Sequence, residues 1–340
     1  MCGGGEGGVA VPHGHRAGYL DHAARILLVA VAYYLGARFG LWLAVVNGQV
    51  TPLWPPTGIG LACLFLLGPR CWPGITIGAL AANLPLGPTL PAVLAISAGN
   101  TLALILAYQL LRRVGFRVQL DRLRDALLLV FVGTGGMLVS ATVGTSALVL
   151  AGALPVGAFW PTWLVWWAGD ALGVLVVTPV VLVIGRMRWR RPVSPLRVVE
   201  ALCLPGGILA AFALARETQT PVFFLAFPLL IWAALRFQHR GAAPCALIMS
   251  LGATIGVVRG VGAFADLELA ARMITLQAFN ASTSLTALML SAITTQRNDA
   301  LRAVERAVEQ LSQAVAALEP HSLLRDGMLE NVLRSRARSR

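Results

Sequence analysis

The chain has 340 residues, of which 57% are hydrophobic and only 12% charged, about half the charged share of a soluble domain. Its formal net charge is +12, and every Lys-or-Arg position is Arg. This excludes an ordinary soluble domain, and because the Arg sit beside apolar runs, membrane orientation explains the charge better than nucleic acid does. The runs are too long and too unalternating for barrel strands. The expected class is all-α, a polytopic bundle of transmembrane helices. The Arg-, Ala-, Gly- and Pro-rich composition points to a GC-rich bacterial genome.

Residues 1–22, rich in Gly and His, are expected to be a disordered cytoplasmic N-terminus. His13, His15 and His22 lie in this tail and are not expected to hold a metal. The first apolar run, about 24–46, is too long for a signal-peptide core. Nine more follow, near 53–68, 72–87, 90–111, 125–151, 160–185, 197–215, 221–235, 242–258 and 268–294. About ten spans are expected. Eight is the alternative, because 53–68 and 72–87 are short and broken by Pro and Gly. The five cysteines show no C-x-x-C spacing and are expected to act as small buried hydrophobes.

Arg placement tests the count. Clusters at 112–124, 186–197 and 236–240, with Arg70 and the Arg flanking the first and last runs, all fall on one side of a ten-span chain. That side is the cytoplasmic one, so both termini are expected in the cytoplasm of a bacterial inner-membrane protein. The opposite connections 47–52 and 152–159 carry no charge.

Past the last run, Leu301, Val304, Val308, Leu311, Val315 and Leu318 are spaced 3-4-3-4-3. They fill the a and d positions of a short coiled coil over 297–319, which predicts a homodimer. An amphipathic helix lying on the membrane is the alternative. Pro320 is expected to end the helix and leave a basic tail, 320–340.

The membrane part, 23–296, carries few ionisable groups. Asp170 is the one that needs a reason. It lies ~14 Å along the helix from Pro161, roughly halfway through a ~30 Å hydrocarbon core. A carboxylate there is costly unless paired, hydrated or protonated. On an ideal helix Trp163, Trp166, Gly173 and Val177 share its face. Two Trp rings and a Gly beside a carboxylate suit a pocket for a small ligand or a cation. A structural latch to a neighbouring helix is the equal alternative, with Arg38 a candidate ion-pair partner.

In LWPPTGIG, Pro55 and Pro56 fix an extended entry, Thr57 can cap the next helix, and Trp54 sits at the interface. That describes a helix entry or a lip over a pocket. Asn83, Asn100, Gln277 and Asn280 are buried amides, suited to interhelical hydrogen bonds or to lining the same pocket. No phosphate-binding loop, H-E-x-x-H or G-x-S-x-G is present. Neither catalysis nor a cofactor is expected.

The motifs PLWPPTGIGLA (52–62), WPGITIGALAANL (72–84), DRLRDALLLV (121–130), WLVWWAGDALGVLVVTP (163–179), FPLLIWAALRFQHRGA (227–242) and TLQAF (275–279) resemble the type-one membrane-associated sensor domain. The resemblance covers about 24–296. It implies a bacterial inner-membrane sensory module, commonly fused to a histidine kinase or diguanylate cyclase, with no catalytic residues in the membrane part. It marks Trp54, Pro55, Pro56, Thr57, Gly58, Asn83, Asn100, Asp170, Gly173 and Pro179. The expected function is detection of a small ligand or membrane cue, passed through the last span to a cytoplasmic output module. No output domain follows in these 340 residues, so it is expected from a partner in trans or from sequence beyond this chain. A small-molecule transporter is the alternative, since midplane polar groups and Pro-broken helices suit one.

Overall fold

The computed structural model describes residues 13–43, 51–187, 194–217, 222–261 and 267–337. They form ten helices and no strand. In chain order these are α1 His13–Trp42, α2 Pro55–Leu67, α3 Trp72–Asn83, α4 Leu90–Arg113 and α5 Leu123–Leu150. Then come α6 Val156–Gly185, α7 Pro195–Glu217, α8 Ala226–Phe237, α9 His239–Arg259 and α10 Leu269–Ala337. The chain divides into two compact units, Met1–Ile293 and Thr294–Arg340.

Each apolar run is a helix, but ten runs are not ten full spans. Six helices are long and apolar enough to cross a membrane: α1, α4, α5, α6, α7 and α9. The physical reason is length. α2 and α3 have 13 and 12 residues, only ~20 Å each. They form a hairpin through Gly68 and a turn at Pro69–Cys71, packed on α1. There Gly78 lets α3 approach so closely that an added Cβ would lie 2.8 Å from the Ala30 carbonyl oxygen. α8 is likewise short. α10 falls below the hydropathy of a span because Gln277, Asn280, Thr283, Ser284 and Ser291 interrupt it.

The centre of the first unit is α6. Of its most apolar window 72% is buried, against 17% for α7. α6 is not a uniform α-helix. Gly173–Val177 forms a π turn, and α5 has another at Leu129–Gly133. Pro179 supplies a cause in α6. It has no N–H to donate, and its ring crowds the carbonyl one turn back, so the wider turn absorbs it. Two apolar cores flank this helix. One joins Tyr33, Leu61, Ile75, Leu104 and Met137. The other joins Ile208, Leu230, Met249 and Phe279, where Phe279 meets the rings of Phe212, Phe223, Phe224 and Phe227.

Three expectations change. Residues 13–22, expected to be disordered, are helical, supported by an Arg25–Asp21 pair at 2.7 Å one turn on. Residues 1–12 lie outside those described. Pro320 does not end α10, which runs on to Ala337. A single Pro removes one helical hydrogen bond and can bend a helix without stopping it. Cys203 is exposed, unlike Cys63, Cys71 and Cys245, because it lies on the outer face of the sparsely buried α7.

In the second unit Leu301, Val304, Val308, Leu311 and Val315 are each at least half exposed. The side chain of Leu318 lies outside the described residues.

Candidate functional site

Asp170 is 2% exposed and organises a four-helix polar knot. Thr57 of α2 donates its hydroxyl to Oδ1 at 2.6 Å. Ser140 of α5 bonds Oδ2 at 2.7 Å and the Asn100 side-chain oxygen of α4, also at 2.7 Å. A serine hydroxyl has one proton. With Asp170 ionised, Ser140 donates to it, and Asn100 turns its amide to donate to Ser140, since amide oxygen and nitrogen exchange by a flip. The Trp166 indole lies beside the carboxylate in the same cavity lining, and the fully buried Tyr33 of α1 lies within electrostatic reach.

The knot holds because α2 and α6 touch backbone to backbone. Pro55 and Pro56 open α2, where their missing N–H groups cost nothing. The stretch before them, Thr51–Trp54, is a strap across α6. Trp54 donates its N–H to the Gly169 carbonyl at 3.0 Å. The Trp54 carbonyl lies directly against Gly173, and the Gly173 carbonyl against Gly58. Thr178 donates to the Gly58 carbonyl at 3.2 Å. A side chain at Gly58 or Gly173 would occupy the space of a neighbouring carbonyl oxygen. On its other side the strap is held by α10, where Gln277 donates its amide to the Pro52 carbonyl at 3.2 Å.

Above the knot is a cavity of about 110 Å³. Its polar lining is Asp170, Asn83, Asn100, Thr51 and Thr162. The rings of Trp54 and Trp166 form walls, with Leu41, Ile96, Leu148 and Val165 between them. Leu86 and Gly87, from the α3–α4 connection, also line it. The cavity is thus bordered by the α1–α2 and α3–α4 connections and by the adjoining ends of α5 and α6. Among the described residues no group of three His, Cys, Asp or Glu could hold a metal.

The structure therefore brings together Asp170, Trp166, Trp54, Asn83 and Asn100 around one cavity, while Thr57 and Gly173 belong to the knot and the α2–α6 seam and are not part of its lining. It separates others. Trp163 turns to α5, donating to the Thr142 hydroxyl at 3.0 Å and stacking on Trp167. Gln277 reaches the strap but not the cavity lining. Asn280 is fully buried one turn along α10, and neither of its amide atoms has a hydrogen-bond partner among the described residues. Arg38 is not the counter-ion of Asp170. It is exposed, because the inward face of α1 runs through Tyr33, Ala37 and Gly40. Among the described residues no ion pair involves Asp170.

Ser140, Tyr33 and the Pro52 carbonyl were not evident from the sequence. Ser140 did carry a signal. Gly136, Ser140 and Gly144 recur every four residues, a stripe of small residues that marks close helix packing. In the structure Gly136 lies against Ala107, and Gly144 seats the Trp166 ring.

A family model, MASE1, matches residues 25–298. Among curated proteins, the probable diguanylate cyclase DgcE of Escherichia coli (strain K12) is 27% identical over 241 residues, which are 69% of this chain and 20% of that protein. The chain thus spans about one fifth of the length of that relative. No solved structure matches.

Proposed function

This chain belongs to the MASE1 family of membrane sensor domains, and on that premise we propose that a small ligand in the Asp170 cavity sets the state of α10 and so of a cytoplasmic output module. The observation that carries this reading is the strap. Thr51 and Trp54 line the cavity, Trp54 is bonded to α6, and Pro52 is bonded to Gln277 of α10. A ligand that shifts Trp54 must strain or release that last bond. Asn280 supports the same view. A buried amide with no partner among the described residues costs about 1–3 kcal/mol, which leaves that much for a second packing of α10 to recover. A ligand need supply only the difference between two packings.

In this proposal the protein is a multi-pass protein of a bacterial inner membrane with both termini cytoplasmic, which puts the cavity on the Arg-poor, outer side. Residues 23–296 sense, 297–319 pair with a second copy, and 320–340 form a basic cytoplasmic tail. The output is a kinase or a cyclic-di-GMP enzyme, the second suggested by the name of the Escherichia coli relative.

The test needs no identified ligand. The chain is fused after Arg340 to a diguanylate cyclase or kinase reporter. Val165→Phe fills the cavity and should shift output at least about threefold. Gln277→Leu, which cannot bond Pro52, should cancel that shift in the double variant. Output indifferent to Val165→Phe would sink the reading. A shift that survives Gln277→Leu would remove the strap as its route.

The dimer has its own check. With the native cysteines replaced, single cysteines at Val308 and Leu311 should cross-link two copies in membranes more efficiently than cysteines at Arg302 or Arg306. Equal or absent cross-linking at the heptad positions would mean that this helix lies singly.

A further inference from the structure

We propose that the cavity takes a small organic cation, a methylated or primary ammonium, as its ligand; this rests on reading the cavity as the sensory site. The charge argument comes first. The lining holds one carboxylate and no basic side chain, although the chain carries 27 basic residues. An anion entering here would meet Asp170 without a compensating charge. Among the described residues Asp170 has no ion-pair partner. Its hydroxyl partners satisfy hydrogen bonds but do not cancel a net charge.

The carboxylate keeps room for a further contact. An ionised carboxylate offers about four acceptor directions. One hydroxyl approaches Oδ1 and one approaches Oδ2. Asp170 is thus held in place and still lines open space.

The walls select the kind of cation. Hard divalent ions take about six or more oxygens at short range, and an indole supplies none. Trp54 and Trp166 border the cavity, and each ring is seated on a glycine, Gly40 at 3.0 Å and Gly144 at 2.6 Å from the Cβ position. A cation within about 6 Å of an indole ring is attracted by its face, and Trp is the strongest of the aromatic partners. A weakly hydrated alkylammonium satisfies the carboxylate and both rings together, whereas a strongly hydrated ion does not. Size sets the remaining limit. A cavity of about 110 Å³ is somewhat smaller than the ~150 Å³ site that accepts benzene. It fits an ammonium head with a few carbons, not a nucleotide or a peptide.

The experiment uses the full chain in maltoside micelles, free of choline lipids, read by Trp fluorescence. The probes are tetramethylammonium, its neutral counterpart tert-butanol and the anion pivalate. Tetramethylammonium should bind at least about tenfold tighter than either of the others. Asp170→Asn should bring it down to the level of tert-butanol, and Trp166→Leu should weaken it severalfold. Binding of tert-butanol or pivalate as tight as that of the cation, abolished by Val165→Phe, would overturn the cation class while leaving the pocket reading intact. No saturable binding of tetramethylammonium overturns the proposal. If Val165→Phe is also silent in the reporter fusion, the pocket reading falls with it.

Discussion

Asp170→Leu should cost the protein about 2–5 kcal/mol of stability, whereas Asp170→Asn should fold almost as well as the wild type. The difference follows from the direction of protons in the knot. Leu accepts nothing, so it strands the hydroxyls of Thr57 and Ser140 in the interior. Each stranded group costs about 1–3 kcal/mol. Asn can rebuild the network in reverse. Its oxygen accepts from Thr57, its nitrogen donates to Ser140, and Ser140 then donates to Asn100, whose amide turns its oxygen back toward the hydroxyl, 2.7 Å away. The Asn variant therefore isolates the charge: folding is retained, and the cation affinity and output response are lost. Unfolding in detergent, followed by Trp fluorescence, separates the two variants. If Asn is as damaging as Leu, the negative charge itself holds the helices together, and the latch reading of Asp170 gains over the pocket reading.

This knot explains which parts of the molecule were legible beforehand. Helix positions were legible, because long apolar runs between Arg clusters have few other folds. Pro55-Pro56 marked the start of α2, and the cost of Asp170 in an apolar helix marked the site. Facing was not legible. In a soluble helix hydropathy separates inside from outside. Here Leu27, Leu35 and Phe39 are exposed on α1 while Val29, Tyr33 and Ala37 are buried, and both sets are largely apolar. For that reason Arg38 reads as a candidate partner of Asp170 although it lies on the exposed face. A uniform helix places Trp163 on the face of Asp170, yet its indole bonds Thr142 of α5.

Small residues carried the information that hydropathy lacked. Gly136, Ser140 and Gly144 mark the face of α5 that meets α4 and α6. The π turn of α6 had one signal, Pro179, and a Pro in a helix equally permits a kink. The strap had none. A carbonyl such as that of Pro52 is present at every position of every sequence, and only the fold decides that Gln277 reaches it.

Gly173→Ala should destabilise the chain by about 2–3 kcal/mol, and Gly58→Ala by a similar amount. Both glycines sit where backbone meets backbone. A Cβ at Gly173 would meet the Trp54 carbonyl group, with the Thr57 Cβ at 3.4 Å. A Cβ at Gly58 would meet the Gly173 carbonyl oxygen, with the Val177 Cβ at 2.7 Å. A flexible side chain could swing away from a new methyl group, but a carbonyl on a packed helix cannot. The helices must separate, which stretches the Trp54–Gly169, Thr178–Gly58 and Thr57–Asp170 bonds together. Gly206→Ala, within α7, is the control. Nothing lies within 4 Å of its Cβ position, so the change should be neutral or add up to about 1 kcal/mol through helix propensity. Thermal unfolding of the three variants in the same detergent is the measurement. If Gly173→Ala melts with Gly206→Ala, the α2–α6 contact is looser than described. If it melts early, it should also weaken cation binding in whatever fraction stays folded, because the seam that glycine closes is the one that brings Thr57 to the carboxylate.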